Sequence, residues 1–208
     1  MFTIGITGGI GTGKSAAAHV LKNWGIPVLD ADAVSHQVTA VGGAAIPEIV
    51  ATFGSTVISD TGELDRDAVA DLVFHDRKSL DTLSFIVHRH VIATMHADRE
   101  KLIEAGKKIC VFDVPIPLKD GFLDSCDFIL VITADLRTRL QRLQARGLPE
   151  EKARQRMAVQ LSEQDYASMA DALIDNSSTL EDLREHLRAA LEPVLTVRGI
   201  NINYDKNE

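Results

Sequence analysis

Hydrophobic residues follow two patterns along this chain: short continuous runs typical of buried strands, and three- and four-residue spacings typical of amphipathic helices. Near-continuous runs of the first kind lie at residues 108–113 and 128–132. Shorter strand patterns lie at residues 2–7, where β-branched or aromatic side chains alternate with small ones, at 26–30, and at 172–176, which ends at a polar pair. Helical spacing follows the first of these strand patterns at residues 14–24 and the last at residues 180–195. The tail from Thr196 is polar, and we expect it to be frayed. Strands that alternate with helices predict the α/β class, a parallel sheet flanked by helices.

The stretch from residue 33 to about residue 106 interrupts this alternation, because helical patterns dominate it and no convincing buried strand occurs there. Apolar side chains recur at helical spacing at Leu80, Leu83, Val87, Val91 and Met95. This spacing predicts one long helix whose apolar stripe belongs to a core. We interpret residues 31–105 as a helical subdomain inserted into the α/β domain.

Composition limits the classes of protein to consider. With 208 residues, of which 45% are hydrophobic, one domain with insertions is the default. A net charge of −8 argues against a general binder of nucleic acid or anionic membrane. No apolar run is long enough to cross a membrane, and the N-terminus lacks a signal-peptide pattern. We therefore expect a cytoplasmic monomer or small homo-oligomer.

Two cysteines, Cys110 and Cys126, lie in or beside apolar runs. This placement fits reduced structural thiols better than a disulfide or a metal site.

The segment Gly8–Ser15 matches the phosphate-binding pattern G-x-x-x-x-G-K-[S/T] and lies between a predicted strand and a predicted helix. The alternative, a coincidental glycine turn, has a chance of about one in a hundred in a chain of this length. The predicted phosphate-binding residues are Gly9, Ile10, Gly11, Thr12, Gly13, Lys14 and Ser15. Kinases, switch GTPases and assembly ATPases share such loops, so the pattern predicts a nucleotide and leaves the reaction open.

Acidic residues end two of the predicted strands. Asp30 and Asp32 follow the strand at residues 26–30, and Asp113 closes the run at residues 108–113 in the manner of a Walker B strand. Ligands of open parallel sheets bind beyond the carboxyl ends of the strands, where Asp113 would orient Mg²⁺ opposite Ser15. Either Asp30 or Asp32 could instead be only the N-cap of the following helix, and spacing does not decide between these roles.

Arginines are concentrated between residues 137 and 156. Most of them fit a solvated charged face, but a lid that closes over nucleotide phosphates also uses arginines. For that role we favour Arg142 and Arg146, one helical turn apart. Arg66 follows the turn at residues 60–62, where Asp65 could cap a helix, and spacing alone favours a solvated position for Arg66.

Taken in order, these motifs resemble the dephospho-CoA kinase family, a family of P-loop NTPase fold, over roughly residues 3 to 195. The resemblance rests on Thr7–Ser15, Asp30–Asp32, Gly62–Arg66, Ile86–His88, Asp113–Pro115, Arg142 with Arg146, Gln160, Ala170–Asp171 and Asp175–Asn176. It implies a nucleotide-binding core at residues 1–30, 106–140 and 168–195, an acceptor-binding insertion at 31–105 and a lid at 141–167.

The resemblance also implies a reaction, the transfer of the γ-phosphoryl group of ATP to the ribose 3′-hydroxyl of dephospho-CoA. In that reaction Asp32 is the general base, Lys14 holds the β- and γ-phosphates, and Ser15 binds Mg²⁺ with Asp113 supporting the ion through its water shell. The remaining implied roles are acceptor binding by Thr7, Arg66 and His88, a position at the adenine end of ATP for Asn176, and lid cations at Arg142 and Arg146.

Some positions depart from the family pattern. Arg89 replaces a common proline, Lys119 replaces a common glutamate, and Arg139 stands where glutamine is frequent. Arg139 removes no group that the chemistry requires. Lys119 reverses the charge of the usual glutamate and Pro117 changes the backbone beside it, so these two positions leave the affinity for the acceptor, or its identity, open. The alternatives are a kinase for another hydroxylated acceptor, such as a nucleoside, and a nucleotide-dependent switch. The chain lacks the [N/T]-K-x-D motif with which switch GTPases read guanine.

Overall fold

A computed structural model describes residues 1–65, 67–70, 77–115 and 122–204. The chain forms two compact units, one made of Met1–Leu29 and Leu102–Glu208 and the other of Asp30–Lys101. The second unit corresponds closely to the helical insertion predicted at residues 31–105.

Five strands of the described residues form one parallel sheet in the order β2-β3-β1-β4-β5. Their bounds are β1 Phe2–Thr7, β2 Val28–Asp30, β3 Ile109–Asp113, β4 Phe128–Thr133 and β5 Ala172–Asp175. The prediction of an α/β fold with a parallel sheet is confirmed. The second strand begins at Val28 instead of residue 26, because the N–H of Ile26 still bonds to the preceding helix at the carbonyl of Leu21.

Within the described ranges, the helices of eight or more residues whose bounds are given, and one shorter helix before β5, carry labels in chain order. They are α1 Lys14–Asn23, α2 Ala31–Thr39, α3 Ile46–Phe53, α4 Arg77–Glu104, α5 Leu136–Ala145, α6 Glu150–Ala158, α7 Glu163–Met169 and α8 Leu180–Thr196. The predicted helices at 14–24 and 180–195 are therefore confirmed to within one residue.

The main core of the first unit lies where α1 and α8 pack against the sheet. Every fourth residue of α8 is buried, with Leu183, Leu187 and Leu191 at 0% exposure. A leucine that is fully buried in this way contributes about 1.5–3 kcal/mol. The helix begins at a capping box in which the side chains of Thr179 and Asp182 each bond to the other's backbone N–H.

The segment after α8 is more ordered than its polar sequence indicates. Ile200 is buried and belongs to the main core, and the ring of Tyr204 meets Trp24 edge to face at 4.9 Å between centroids. The prediction of a frayed tail from Thr196 is wrong for residues 200–204, because these two apolar side chains have partners in the core.

The second unit is helical, and α4 confirms the predicted long helix. Its buried stripe contains Leu83, Ile86, Val91 and Met95. Leu80 does not belong to that stripe, since it lies in the first turn of α4 and is 43% exposed. Asp65 accepts bonds from the N–H groups of residues 67 and 68, as predicted for a capping residue. No helix of the described residues is long and apolar enough to span a membrane.

Candidate active site

The predicted phosphate loop connects β1 to α1, so it has the strand and helix context that its motif requires. Helix α1 begins at Lys14, and its N-terminal N–H groups therefore end at the loop with their partial positive charge. Gly13 has φ +90°, which favours glycine, and a Cβ at this position would lie 2.1 Å from Nδ2 of Asn176. Local backbone and close packing thus both require the last glycine of the motif.

The carbonyl of Thr12 points out of the loop toward two donors. Arg142 Nη1 donates to it at 3.1 Å, and Nδ2 of the buried Asn176 donates at 2.7 Å. Every described peptide is trans, so the N–H of Gly13 points away from these donors. Holding the carbonyl outward consequently leaves this N–H available on the side where an anion would bind.

The peptide groups of Ile10 are held in a similar way. Nε of Arg139 donates to the Ile10 carbonyl at 3.0 Å, which turns the N–H of Gly11 in the opposite direction. The Ile10 N–H donates to Oε1 of Gln160 at 2.8 Å. Neither Arg139 nor Gln160 has a role that the sequence predicts. Arg139 precedes Arg142 by three residues on the same helix face, and that spacing was the available signal.

Lys14 and Asp113 form an ion pair beside the loop. Nζ of Lys14 donates to Oδ1 of Asp113, and the two side chains are 15% and 7% exposed. The pairing of β1 with β3 sets Ile6 opposite Asp113, which brings the ends of the two strands together. Ser15 lies in the first turn of α1 and is exposed. A serine hydroxyl and a carboxylate are hard oxygen donors of the kind that Mg²⁺ prefers.

The two acids that follow β2 have different local roles. Oδ1 of Asp30 accepts from the N–H of Asp32 at 2.8 Å and from the N–H of Ala33 at 3.2 Å, so Asp30 is the N-cap of α2. Asp32 lies in the first turn of that helix, and its side chain is exposed. The sequence left open which of the two acids caps α2, and these bonds assign that role to Asp30. The carboxylate of Asp32 is not needed for capping.

Two residues predicted to bind the acceptor carry buried polar atoms without a hydrogen-bond partner among the described residues. In the first unit, Thr7 at the end of β1 is fully buried and its Oγ1 is unpaired. In the second unit, Nε2 of His88 is unpaired, and burial lowers the pKa of its imidazole below the ordinary value of 6.5. The third predicted acceptor residue, Arg66, lies outside the described residues, as do Pro117 and Lys119.

The two predicted lid arginines differ in position. Arg142 reaches the loop, whereas Arg146 follows the last residue of α5 and is exposed. Arg89, in the second unit, pairs with Glu48 on α3, and His90 Nε2 contacts the same carboxylate oxygen at 2.9 Å. Both partners lower the pKa of Glu48 by stabilising its charged form. Arg89 is thus part of the packing between α3 and α4.

A cavity of about 700 Å³ adjoins the loop at Gly9 and Thr12. It lies along the carboxyl ends of β4 and β5, where residues 133–135, 175 and 177 line it. Its other walls include Leu136, Leu173 and Tyr166, which give it apolar surface next to carboxylates and hydroxyls. Cavities at this edge of an open parallel sheet are the usual ligand sites of the fold.

Comparisons with known proteins identify the family of this chain. The family model described as dephospho-CoA kinase matches residues 2–182. The dephospho-CoA kinase of Thermobifida fusca is 39% identical over 187 residues, which cover 88% of this chain and 91% of the relative. That of Geobacillus kaustophilus is 37% identical, with 91% and 95% covered.

Solved structures agree as well. The crystal structure of TT1252 from Thermus thermophilus superposes with a TM-score of 0.77 at 32% identity, covering 93% of this chain and 97% of that one. Dephospho-CoA kinase from Campylobacter jejuni shares the fold, with a TM-score of 0.70 at 19% identity and coverage of 94% and 98%. The resemblance inferred from the ordered motifs is confirmed, and this chain belongs to the dephospho-CoA kinase family.

Proposed function

We propose that this kinase transfers the γ-phosphoryl group of ATP to the ribose 3′-hydroxyl of dephospho-CoA, which yields coenzyme A and ADP. The observation that carries the proposal is the family match over residues 2–182, a range that contains the whole phosphate loop and Asp32. Membership of the family gives the enzyme class, an ATP-dependent kinase of coenzyme A biosynthesis. The assignment of individual residues below is our own inference from their contacts and chemistry.

The phosphate loop would bind the donor. N–H groups of Gly11 and Gly13 point away from the cations that hold the adjacent carbonyls, and the N-terminus of α1 adds positive potential. Lys14 would exchange its contact with Asp113 for the β- and γ-phosphates. Ser15 and Asp113 would then hold Mg²⁺, which neutralises charge on the transferred group when it is bound.

The nucleoside of ATP would extend from the loop into the adjoining cavity. Asp175 and Ser177 line that cavity on either side of Asn176 in the sequence. Asn176 itself is 4% exposed, with its amide bonded to Thr12. These contacts support a role for Asn176 in holding the phosphate loop, and its position at the adenine end of ATP stays a prediction from the family resemblance.

Asp32 would act as the general base. As the ribose oxygen attacks the γ-phosphorus, its carboxylate accepts the hydroxyl proton, the new P–O bond forms, and the bond to the β-phosphate oxygen breaks. Asp30 supplies the cap of α2, so Asp32 can change its protonation without loss of the helix N-terminus. This separation of roles supports a catalytic use for the second acid.

The acceptor would be held by groups with unused hydrogen-bonding capacity. A desolvated imidazole stays neutral at neutral pH, so His88 can offer Nε2 to a polar group of the acceptor. The Thr7 hydroxyl and the Arg66 guanidinium would complete this set. Arg142 and Arg146 would neutralise phosphate charge as the lid closes and excludes the water that would otherwise hydrolyse ATP.

The proposal is tested by turnover with dephospho-CoA, ATP and Mg²⁺ in wild type and in two matched variants. Asp32→Asn should lower kcat by about 10²–10⁴, the usual contribution of a general base, with ADP binding retained. Asp30→Asn removes a charge two residues away but keeps a good N-cap, so its kcat should stay near that of wild type.

Equal losses in both variants, or none in Asp32→Asn, would contradict the role of Asp32. A parallel screen of nucleosides and nucleotides tests the acceptor. Turnover with one of these, and none with dephospho-CoA, would contradict the proposed reaction.

A further inference from the structure

Two residues that flank α6 hold the same residue of the phosphate loop. Arg139, on α5, donates through Nε to the carbonyl of Ile10 at 3.0 Å. Gln160, two residues after the end of α6, accepts the N–H of Ile10 at 2.8 Å. We infer that Arg139 and Gln160 are positioning residues that couple the segment around α6 to the geometry of the phosphate loop.

These contacts fix two consecutive peptide units. The unit between Gly9 and Ile10 is held at its N–H by Gln160 and at its carbonyl by Thr12, whose Oγ1 donates at 2.9 Å. The unit between Ile10 and Gly11 is held at its carbonyl by Arg139. Because a trans peptide directs its N–H opposite to its carbonyl, the Arg139 contact determines where the Gly11 N–H points.

The guanidinium of Arg139 has its main hydrogen-bond acceptor in the loop backbone, at the carbonyl of Ile10. Arg139 is 9% exposed, so its charge is largely removed from water and depends on bonds within the protein. Nη1 lies 3.6 Å from Oε1 of Glu163, but that glutamate side chain is 86% exposed and such pairs contribute little. The guanidinium also lies close to Gly9, where an added Cβ would come within 2.9 Å of Nη2.

Helix α6 lies between the two contacts in sequence, in the segment predicted to be the lid. Gln160 lies within this segment, whereas Arg139 lies just before it on the helix that leads into it. A displacement that moves Gln160 or that helix therefore changes the peptide units on either side of Ile10, and with them the donors offered to a phosphate. This coupling acts on the loop backbone, which distinguishes it from a lid arginine that binds phosphate directly. It goes beyond the proposed reaction and depends only on phosphate binding by the loop.

The test measures ADP binding by titration calorimetry in the full chain carrying Gln160→Leu, Arg139→Met or both. Arg139→Met should weaken ADP by about ten- to a hundredfold, the range expected when a hydrogen bond made by a charged group is lost, and Gln160→Leu by about two- to tenfold, the range for a neutral one. The double variant should lose less than the product of the two single losses, because the changes release the adjacent peptide units on either side of Ile10, which move together. KM for dephospho-CoA should stay within about twofold of wild type.

Matched controls come from exposed residues of α5. Arg137→Met and Gln144→Leu remove the same side-chain types from positions that do not contact the loop, and both should bind ADP like wild type. Arg139→Leu and Gln160→Met replace the first variants if these fail to fold, as judged by the fluorescence of buried Trp24.

ADP affinity equal to that of the controls would overturn the inference, and so would strictly multiplicative losses in the double variant. ADP binding is measured without acceptor, so this outcome is independent of which hydroxyl the enzyme phosphorylates. Conversely, failure to phosphorylate dephospho-CoA would leave the inference on Arg139 and Gln160 unaffected.

Discussion

Replacing Gly13 with alanine tests the packing of the phosphate loop quantitatively. Gly13 has φ +90°, and an alanine Cβ there would lie 2.1 Å from Nδ2 of Asn176. An L-residue in left-handed backbone costs about 1–2 kcal/mol. Displacing Asn176 also breaks its 2.7 Å bond to the Thr12 carbonyl, a loss of about 0.5–1.5 kcal/mol. Together these terms predict a loss of about 1.5–3.5 kcal/mol in the free energy of unfolding.

Urea denaturation followed by fluorescence is a direct assay, because Trp24 is the single tryptophan of the chain and is buried in the same unit as the loop. Gly147→Ala is a matched control, since Gly147 has φ +82° and no described atom lies within 4 Å of its Cβ position. Its free energy of unfolding should fall only by the backbone cost of about 1–2 kcal/mol.

The contact with Asn176 is isolated by repeating the Gly13→Ala change in an Asn176→Ala background. With the amide removed, the penalty at Gly13 should fall to that of the Gly147 control. The reasoning would be refuted if Gly13→Ala cost the same in both backgrounds, or no more than Gly147→Ala.

Three further predictions concern single side chains. Asp30→Ala should lower the free energy of unfolding by about 0.5–2 kcal/mol because the N-cap of α2 is lost, whereas Asp30→Asn keeps a capping side chain and should not. Equal stability of the two variants in urea would contradict the role of Asp30 as the cap. Burial lowers the pKa of His88 in the folded chain below its ordinary 6.5, so the unfolded chain binds the proton more tightly and the free energy of unfolding should rise with pH up to about that value. His88→Gln should flatten this rise. An unchanged dependence of the free energy of unfolding on pH would contradict the burial effect. Lys14→Met should reduce kcat by about 10²–10³ through lost stabilisation of the phosphates, and wild-type turnover would contradict the assignment of the loop.

The strands could be predicted from sequence because buried parallel strands are nearly continuous apolar runs. Residues 108–113 and 128–132 have this pattern, and the structure confirms both strands to within one residue. The position of the phosphate loop could also be predicted from sequence. Its motif depends on local backbone requirements, such as the positive φ of Gly13 and the start of α1 at Lys14. Errors arose where tertiary packing decides, as at Leu80, which has helical spacing but is exposed, and at Tyr204, which lies in a polar segment but packs against Trp24.

The contacts of Arg139 and Gln160 with Ile10 could not be predicted from sequence. They join residues 129 and 150 positions apart. The three-residue spacing places Arg139 on the same helix face as Arg142, but it does not show which backbone group of the loop Arg139 contacts. Asp30 and Asp32 illustrate the reverse case. Their spacing allowed either to cap α2, and only the bonds from residues 32 and 33 identify Asp30 as the cap.

The most direct test of the central claim is the identity of the product formed from dephospho-CoA, ATP and Mg²⁺ by the purified chain. Phosphorus NMR and mass spectrometry should show coenzyme A phosphorylated at the ribose 3′-oxygen, with one ADP released for each coenzyme A. ADP release without coenzyme A, or phosphorylation at another position, would contradict the account.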